Sequence, residues 1–301
     1  MKKVEANRYP HSATLFKFCK EALEIRYEGN VKVIDQDVGA ILGYDPADCS
    51  HWKKGKKNIR ALATLKSIAD HLNVDERLLI DIASGRVGLE EAVFEFQGYG
   101  HFSLSGKSLE HLKKEFFRNP TKWQVEGGIK SFEELFDVNR PQVIKVAEAI
   151  IKMGAFSEAP IYIPEVMQHF QGIEIAGKED LETGVKLVSQ IDESGQNKTI
   201  IEYHGLEMRP YIRFLVAKEI YCHLVRSKHE LVAELGDVPA EVLDIQANIF
   251  AGILLIPGYL LRHEVERIDS SLDLVSQLAD TFWVSKALMN QRLRDYLENL
   301  N

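Results

Sequence analysis

Lys218, Glu219, Cys222 and His223 fall within one short run, and all are types that hold metals or move protons. On a helix, residues four apart share a face, so such a run can present two metal donors together. Glu219 and His223 have that spacing, and Asp244 or Glu241 could add a carboxylate. Spending Glu219 as a ligand, however, removes the carboxylate that would polarise a metal-bound water. Lys218 and Cys222 form the other such pair. An ammonium only donates hydrogen bonds, so Lys218 in its usual state is no zinc ligand. Simpler readings make His223 a histidine hydrogen-bonded beside Glu219, and Cys222 a small core residue. His204 and His229 lie off this run, with no partner at ligand spacing.

The element that must position these groups is Arg213–Val225, RFLVAKEIYCHLV. Phe214, Ala217, Ile220/Tyr221 and Leu224 recur at helical spacing and predict an amphipathic helix with one face in a core. The run resembles the ImmA/IrrE family of HExxH zinc peptidases in its Arg-Phe start, its alanine, Glu219 and the trailing leucine. Similarity continues through DIQANIFAGILLIP and LADTFWVSKALMNQRLRDYL, so it covers about residues 140–298. The resemblance implies ligands at Lys218, Cys222 and Gln246, and all three differ from what a zinc peptidase needs. Only Glu219 remains, as a vestigial catalytic base. No metal site and no cofactor are therefore expected, zinc being possible only through the shifted Glu219/Cys222/His223 set with Asp244 or Glu241. An ammonium can replace a lost cation, so Lys218 is expected to pair with Glu219 or with a carboxylate of the 241–244 turn.

A second pattern lies near the N-terminus. Asp35–Leu42 reads as a short helix, Gly43–Asp45 as a tight turn, and Pro46–Lys54 as a second short helix with proline in its first turn. Two longer amphipathic helices follow, through Leu62–Leu72 and Leu78–Ile82. Short helix, glycine turn, short helix is a helix-turn-helix layout. With Gly39, Leu42-Gly43, Trp52 and Lys53-Lys54-Gly55-Lys56-Lys57, residues 30–85 resemble the XRE (Cro/CI-type) family. They depart from it at Asp35 and in the acidic Asp45–Asp48 start of the second helix. Ala47, Ser50 and His51 would then face base edges, Gln36 a base or phosphate, and Lys53, Lys54, Lys56 and Lys57 the phosphates, with Arg60 nearby. Trp52 is expected in the core of this domain.

The 301 residues leave room for two domains, and 45% hydrophobic with 27% charged content is that of an ordinary folded protein. A formal net charge of −8 argues against non-specific coating of nucleic acid. No apolar run reaches membrane-spanning length or forms a signal core, and the three cysteines stand far apart, so a reduced, cytoplasmic protein without membrane partners is expected. GYGHFSLSGKS ends like a phosphate-binding loop, but His101 stands where the first glycine belongs, and it reads as a plain loop. Phe94, Phe96, Phe116 and Phe117 read as packing aromatics around a helix near Leu109–Phe117.

The expected fold is α+β, mostly α. It comprises an all-α helix-turn-helix domain over 1–90, a mainly helical connector over 91–139, and, over 140–301, a zincin-like domain of helices packed on a small antiparallel sheet. The expected function is a DNA-binding transcriptional regulator of bacterial or phage type, acting on double-stranded DNA as a homodimer. Its second half would be a pseudoenzyme serving sensing, dimerisation or partner binding. The alternatives are an active zinc metallopeptidase that cleaves a partner repressor, and an antitoxin or phage immunity component that binds a repressor or toxin.

Overall fold

The computed structural model describes residues 8–26, 32–43, 46–59, 61–72, 74–97, 137–178, 181, 184–191, 197–205, 208–268 and 273–298. Residues 98–136 of the connector, with its expected helix near 109–117 and the GKS loop, lie outside these residues, as does Arg60. The fold is mostly α with one small sheet, and the chain divides into two compact units, Met1–Gly98 and Tyr99–Asn301.

The first unit is all-helical among the described residues: α1 (Pro10–Arg26), α2 (Asp35–Leu42), α3 (Pro46–Lys53), α4 (Leu62–Leu72), α5 (Glu76–Ser84) and α6 (Leu89–Gln97). Helix α1 is its hub and touches each of α2 to α6. It places Leu15, Phe18, Cys19 and Ala22 against Val38, Leu42, Trp52, Ile68 and Leu79. Phe96 of α6 meets Phe18 edge-on at 5.9 Å, the packing role expected of that aromatic.

The α2–α3 corner has clear local causes. The Asp37 carboxylate accepts the Ile34 N–H at 2.8 Å, holding the start of α2. Gly43 ends α2 in the left-handed region at φ 67°, where a side chain is costly. Beyond α3, the Ser12 hydroxyl accepts the Ile59 N–H at 2.9 Å and donates to Asn58 Oδ1 at 3.1 Å, tying the outgoing chain to α1. Trp52 and Cys49 face the core and are 4% and 2% exposed.

The second unit follows with α7 (Arg140–Gly154), α8 (Ile163–Met167), β1 (Ile173–Lys178), β2 (Val185–Ile191), β3 (Asn197–His204) and α9 (Pro210–Arg226). After a 3-10 turn (Glu230–Leu235) come α10 (Ala240–Leu255), α11 (Gly258–Val265), α12 (Leu274–Phe282) and α13 (Lys286–Glu298). Strand β3 is central, and its Ile201 sits opposite Ile175 of β1 and Leu187 of β2. The β2–β3 pair is antiparallel as expected, but β1 runs parallel to β3, so the sheet is mixed. The chain leaves β1 and passes to the far side of the position β3 will fill, which brings β1 and β3 in with the same direction.

Helix α9 departs further from expectation. Ile212, Leu215, Val216 and Cys222 are buried as well as the predicted Phe214, Ala217, Ile220, Tyr221 and Leu224. It packs on β2 and β3 and on α10, so nearly its whole circumference is enclosed. No single helix among the described residues is long and apolar enough to cross a membrane, and the bent α10–α11 pair that passes by composition is largely core.

Replacing Trp52 by alanine should destabilise the first unit by about 3–5 kcal/mol, the usual cost of emptying a large aromatic site. Hydrogen exchange checks it: amides of α1 to α5 should exchange faster while those of α9 and α10 keep their protection.

Candidate functional site

Helix α9 enters the core carrying two buried cations, Arg213 at 1% and Lys218 at 2% exposure. The hydrogen bonds of Arg213 among the described residues all go to backbone carbonyls. Its Nη1 donates to Phe282 O at 2.8 Å and to Trp283 O, and its Nη2 donates to Ile161 O. Its guanidinium lies 5.0 Å from the centre of the Trp283 ring. Burial lowers its pKa to about 10, which still leaves it charged at neutral pH.

Lys218 is satisfied differently. Its ammonium donates to Asp244 Oδ1 of α10 at 2.7 Å, and lies 5.9 Å from the centre of the Phe214 ring. The expected pairing with a carboxylate is thus made. Asp244 is the carboxylate chosen, while Glu219 turns to Arg226 at 3.6 Å. The Glu241 side chain lies outside the described residues.

The other two positions of the implied ligand set are equally committed. Gln246, 1% exposed, accepts from the Tyr221 hydroxyl at 3.0 Å and donates to Val138 O at 2.9 Å. Both ends of its amide are used, in joining α9, α10 and the segment before α7. Burial pushes the Cys222 thiol up to about 12, with the Glu219 charge adding to the rise, so it stays protonated at neutral pH. A zinc ion would need a deprotonated thiolate and two further donors where there is an ammonium and a saturated amide. The donor set does not fit zinc. Among the described residues no group of three histidine, cysteine or carboxylate side chains is placed to hold a metal.

The shifted set fares no better. Glu219 and His223 share no hydrogen bond among those of the described residues, and the Glu219 carboxylate is drawn towards Arg226, about two turns further along the same helix. Desolvation raises the Glu219 pKa, whereas Arg226 and Lys218 pull it down. His223 is half-buried with its pKa lowered by burial and by Arg226 and His229, which keeps it neutral. His229 caps the 3-10 turn by accepting the Leu231 N–H at 3.2 Å. His204 Nδ1 is bonded to Leu181 O at 2.6 Å. Tyr221 and Val138, which lock Gln246, had no sequence signal as site residues, because their partner lies across the fold.

In the first unit, Ser50 and His51 are exposed on α3, and Gln36 is exposed on α2. The Ala47 side chain lies outside the described residues. Lys53, Lys54, Lys56 and Lys57 are all exposed, and Lys53 and Lys57 carry ion pairs. Lys53 meets Asp35 at 2.9 Å, and Lys57 meets Asp48. Such exposed pairs hold about 0–1 kcal/mol and leave either lysine able to change partner.

Residues 180–294 match the family model described as the IrrE N-terminal-like domain (Peptidase_M78). Among solved structures the chain is similar to a Mycobacterium tuberculosis transcriptional regulator at 19% identity, covering 54% of this chain and 50% of that one with a TM-score of 0.37. The chain thus spans about half the length of that regulator. No curated protein matches the sequence.

The Lys218–Asp244 pair should behave as a buried cation that needs its partner. Asp244→Asn should cost about 3–5 kcal/mol by chemical denaturation, because the ammonium left behind is almost wholly enclosed. Lys218→Met should cost less, since Asp244 keeps some contact with solvent. Equal stability of Asp244→Asn and the parent would contradict the pairing. Glu219 has the opposite sign to an ordinary paired carboxylate. With its folded pKa raised, the folded state holds the proton longer, so stability falls as pH rises through the folded value. Glu219→Gln should therefore be the more stable protein at neutral pH, with the gap closing below the carboxylate range.

Proposed function

We propose, with the IrrE-like stretch at 180–294 as premise, that this chain is a DNA-binding transcriptional regulator whose second unit is a catalytically silent scaffold. The observation that carries the reading is the α2–Gly43–α3 corner with its outward face. On α3, Ser50, His51 and, just past its end, Lys54 stand at helical spacing and are exposed, while Cys49 and Trp52 bind the opposite face to the core. A short helix fixed from behind and polar in front suits the major groove, where small and polar side chains reach base edges. Lys53, Lys54, Lys56 and Lys57 follow directly, and phosphates would take over from Asp35 and Asp48 as partners of Lys53 and Lys57. Regulators of this layout read paired half-sites as dimers, and a homodimer on double-stranded DNA is part of the proposal.

Silence in the second unit is supported by the committed donors. Peptide hydrolysis of the HExxH kind needs a metal-bound water beside the glutamate. Lys218 holds Asp244, Gln246 is saturated, and Glu219 faces Arg226, so this chain's residues form an ion-pair network in that position. The similar regulator from Mycobacterium tuberculosis agrees in kind with this assignment and adds no weight to it.

Charge reversal tests the DNA face. Lys54→Glu with Lys57→Glu should weaken binding to genomic operator fragments selected by the wild-type protein. It should also reduce the slope of log Kobs against log salt by about 1.8, two phosphate contacts' worth. Lys186→Glu on β2, a single charge reversal in the other unit, serves as the control and should change neither. Unaltered binding and slope in the α3 double variant would refute the assignment.

A further inference from the structure

A cavity of about 1110 Å³ opens in the second unit between α7, the α10–α11 turn and α13. It is large enough for a metabolite-sized ligand. None of Lys218, Glu219, Cys222, Asp244 or Gln246 lines it. It is a different place from the degenerate metal position: Ile253 on its wall is nine residues after Asp244, about 14 Å along α10.

Its wall has two characters. Ile144, Ile151, Phe156, Ile253, Pro257 and Tyr259 supply an apolar side, with the Tyr259 hydroxyl donating to Phe156 O across it. Arg140, Lys152, Arg292 and Arg294 supply four cations against two carboxylates, Glu148 and Asp295. A net positive wall on a chain of formal net charge −8 is a local concentration of positive potential.

Asp295 already accepts from Arg140 at 2.9 Å, from Gln291 at 2.9 Å and from Arg292 at 3.5 Å. Arg292 Nη2 donates to Ile256 O at 3.1 Å, but its Nε is buried and meets no acceptor among the described residues. A buried donor on a cation without an acceptor is costly. Helix α11 also starts on this wall, at Gly258 and Tyr259, with no side-chain cap on its free N–H groups. The exposed Lys152 ammonium on α7 and the start of α11 therefore bring donors to the same space from two elements, and the remaining wall is greasy.

We infer that this cavity is a binding site for an organic anion, a carboxylate head with an apolar body. The head takes hydrogen bonds from the Lys152 ammonium and the start of α11, in a setting where charge-assisted bonds are strong. The body lies against Ile144, Ile151 and Phe156. This gives the second unit a ligand that owes nothing to a metal, and it stands whether or not the first unit binds DNA.

Gly258 provides a clean test. A side chain added there meets nothing within 4 Å, and its backbone is not left-handed, so Gly258→Glu puts a carboxylate into open space on the wall. At the first turn of a helix that acid is favourable, so the fold is retained. The probe is 8-anilinonaphthalene-1-sulfonate, an aromatic anion, titrated by fluorescence into the full chain. One saturable site is expected, displaced by octanoate and not by equimolar octan-1-ol. Gly258→Glu should weaken probe binding by about tenfold or more, since a fixed negative charge opposes the head. Lys152→Glu, an exposed change on α7, should weaken it in the same direction with circular dichroism unchanged. Octan-1-ol competing as well as octanoate, absence of saturable binding, or wild-type affinity in both variants would overturn the proposal.

Discussion

The second unit depends on a guanidinium that has no carboxylate among its described partners. Arg213 sits at the start of α9 and takes up the Phe282 and Trp283 carbonyls, which α12 leaves unsatisfied at its C-terminal end. Its other arm reaches the Ile161 carbonyl, just before α8. One side chain thereby fixes three segments far apart in sequence. The planar fork of donors suits this, because each N–H points at a separate carbonyl and no neutralising partner has to be buried with it. The Trp283 ring beneath the guanidinium adds electrostatic support in a dry setting.

With α9 held at its first turn, the residues further along it inherit fixed positions. Lys218 is the second buried cation of the helix and is handled by the opposite device. Its charge is compact, so one carboxylate of α10 at 2.7 Å suffices. The pair joins α9 to α10, two helices that a metal would join through ligands on the same faces. Tyr221 and Gln246 add a neutral bond across that joint at 3.0 Å, and Gln246 extends it to Val138. Connection between α9 and α10 is thus maintained by one ion pair and one chain of neutral hydrogen bonds.

The two halves of the chain manage exposed charge in contrasting ways. On the α3 side, ion pairs such as Lys53–Asp35 are weak and exchangeable, which fits a surface that trades partners. In the cavity beside α13, Arg140, Gln291 and Arg292 are gathered on a single Asp295, and the arrangement is rigid enough to leave one donor over.

The sequence by itself determined the elements and the missing chemistry. Helical spacing of Phe214, Ala217 and Leu224, the proline starting α3 and the glycine ending α2 are local signals, and local backbone preferences act wherever the chain goes. That Lys218 and Gln246 are poor metal donors was equally legible, because ligand capacity belongs to the residue type. Tertiary structure alone decided the rest. It selected Asp244 for Lys218, turned Glu219 to Arg226, enclosed α9 on nearly every side and laid β1 parallel to β3. It also assembled a cavity from α7, α10, α11 and α13, none of which carries a motif for it. These outcomes depend on which distant surfaces meet and at what register, and no short window of sequence encodes that distance.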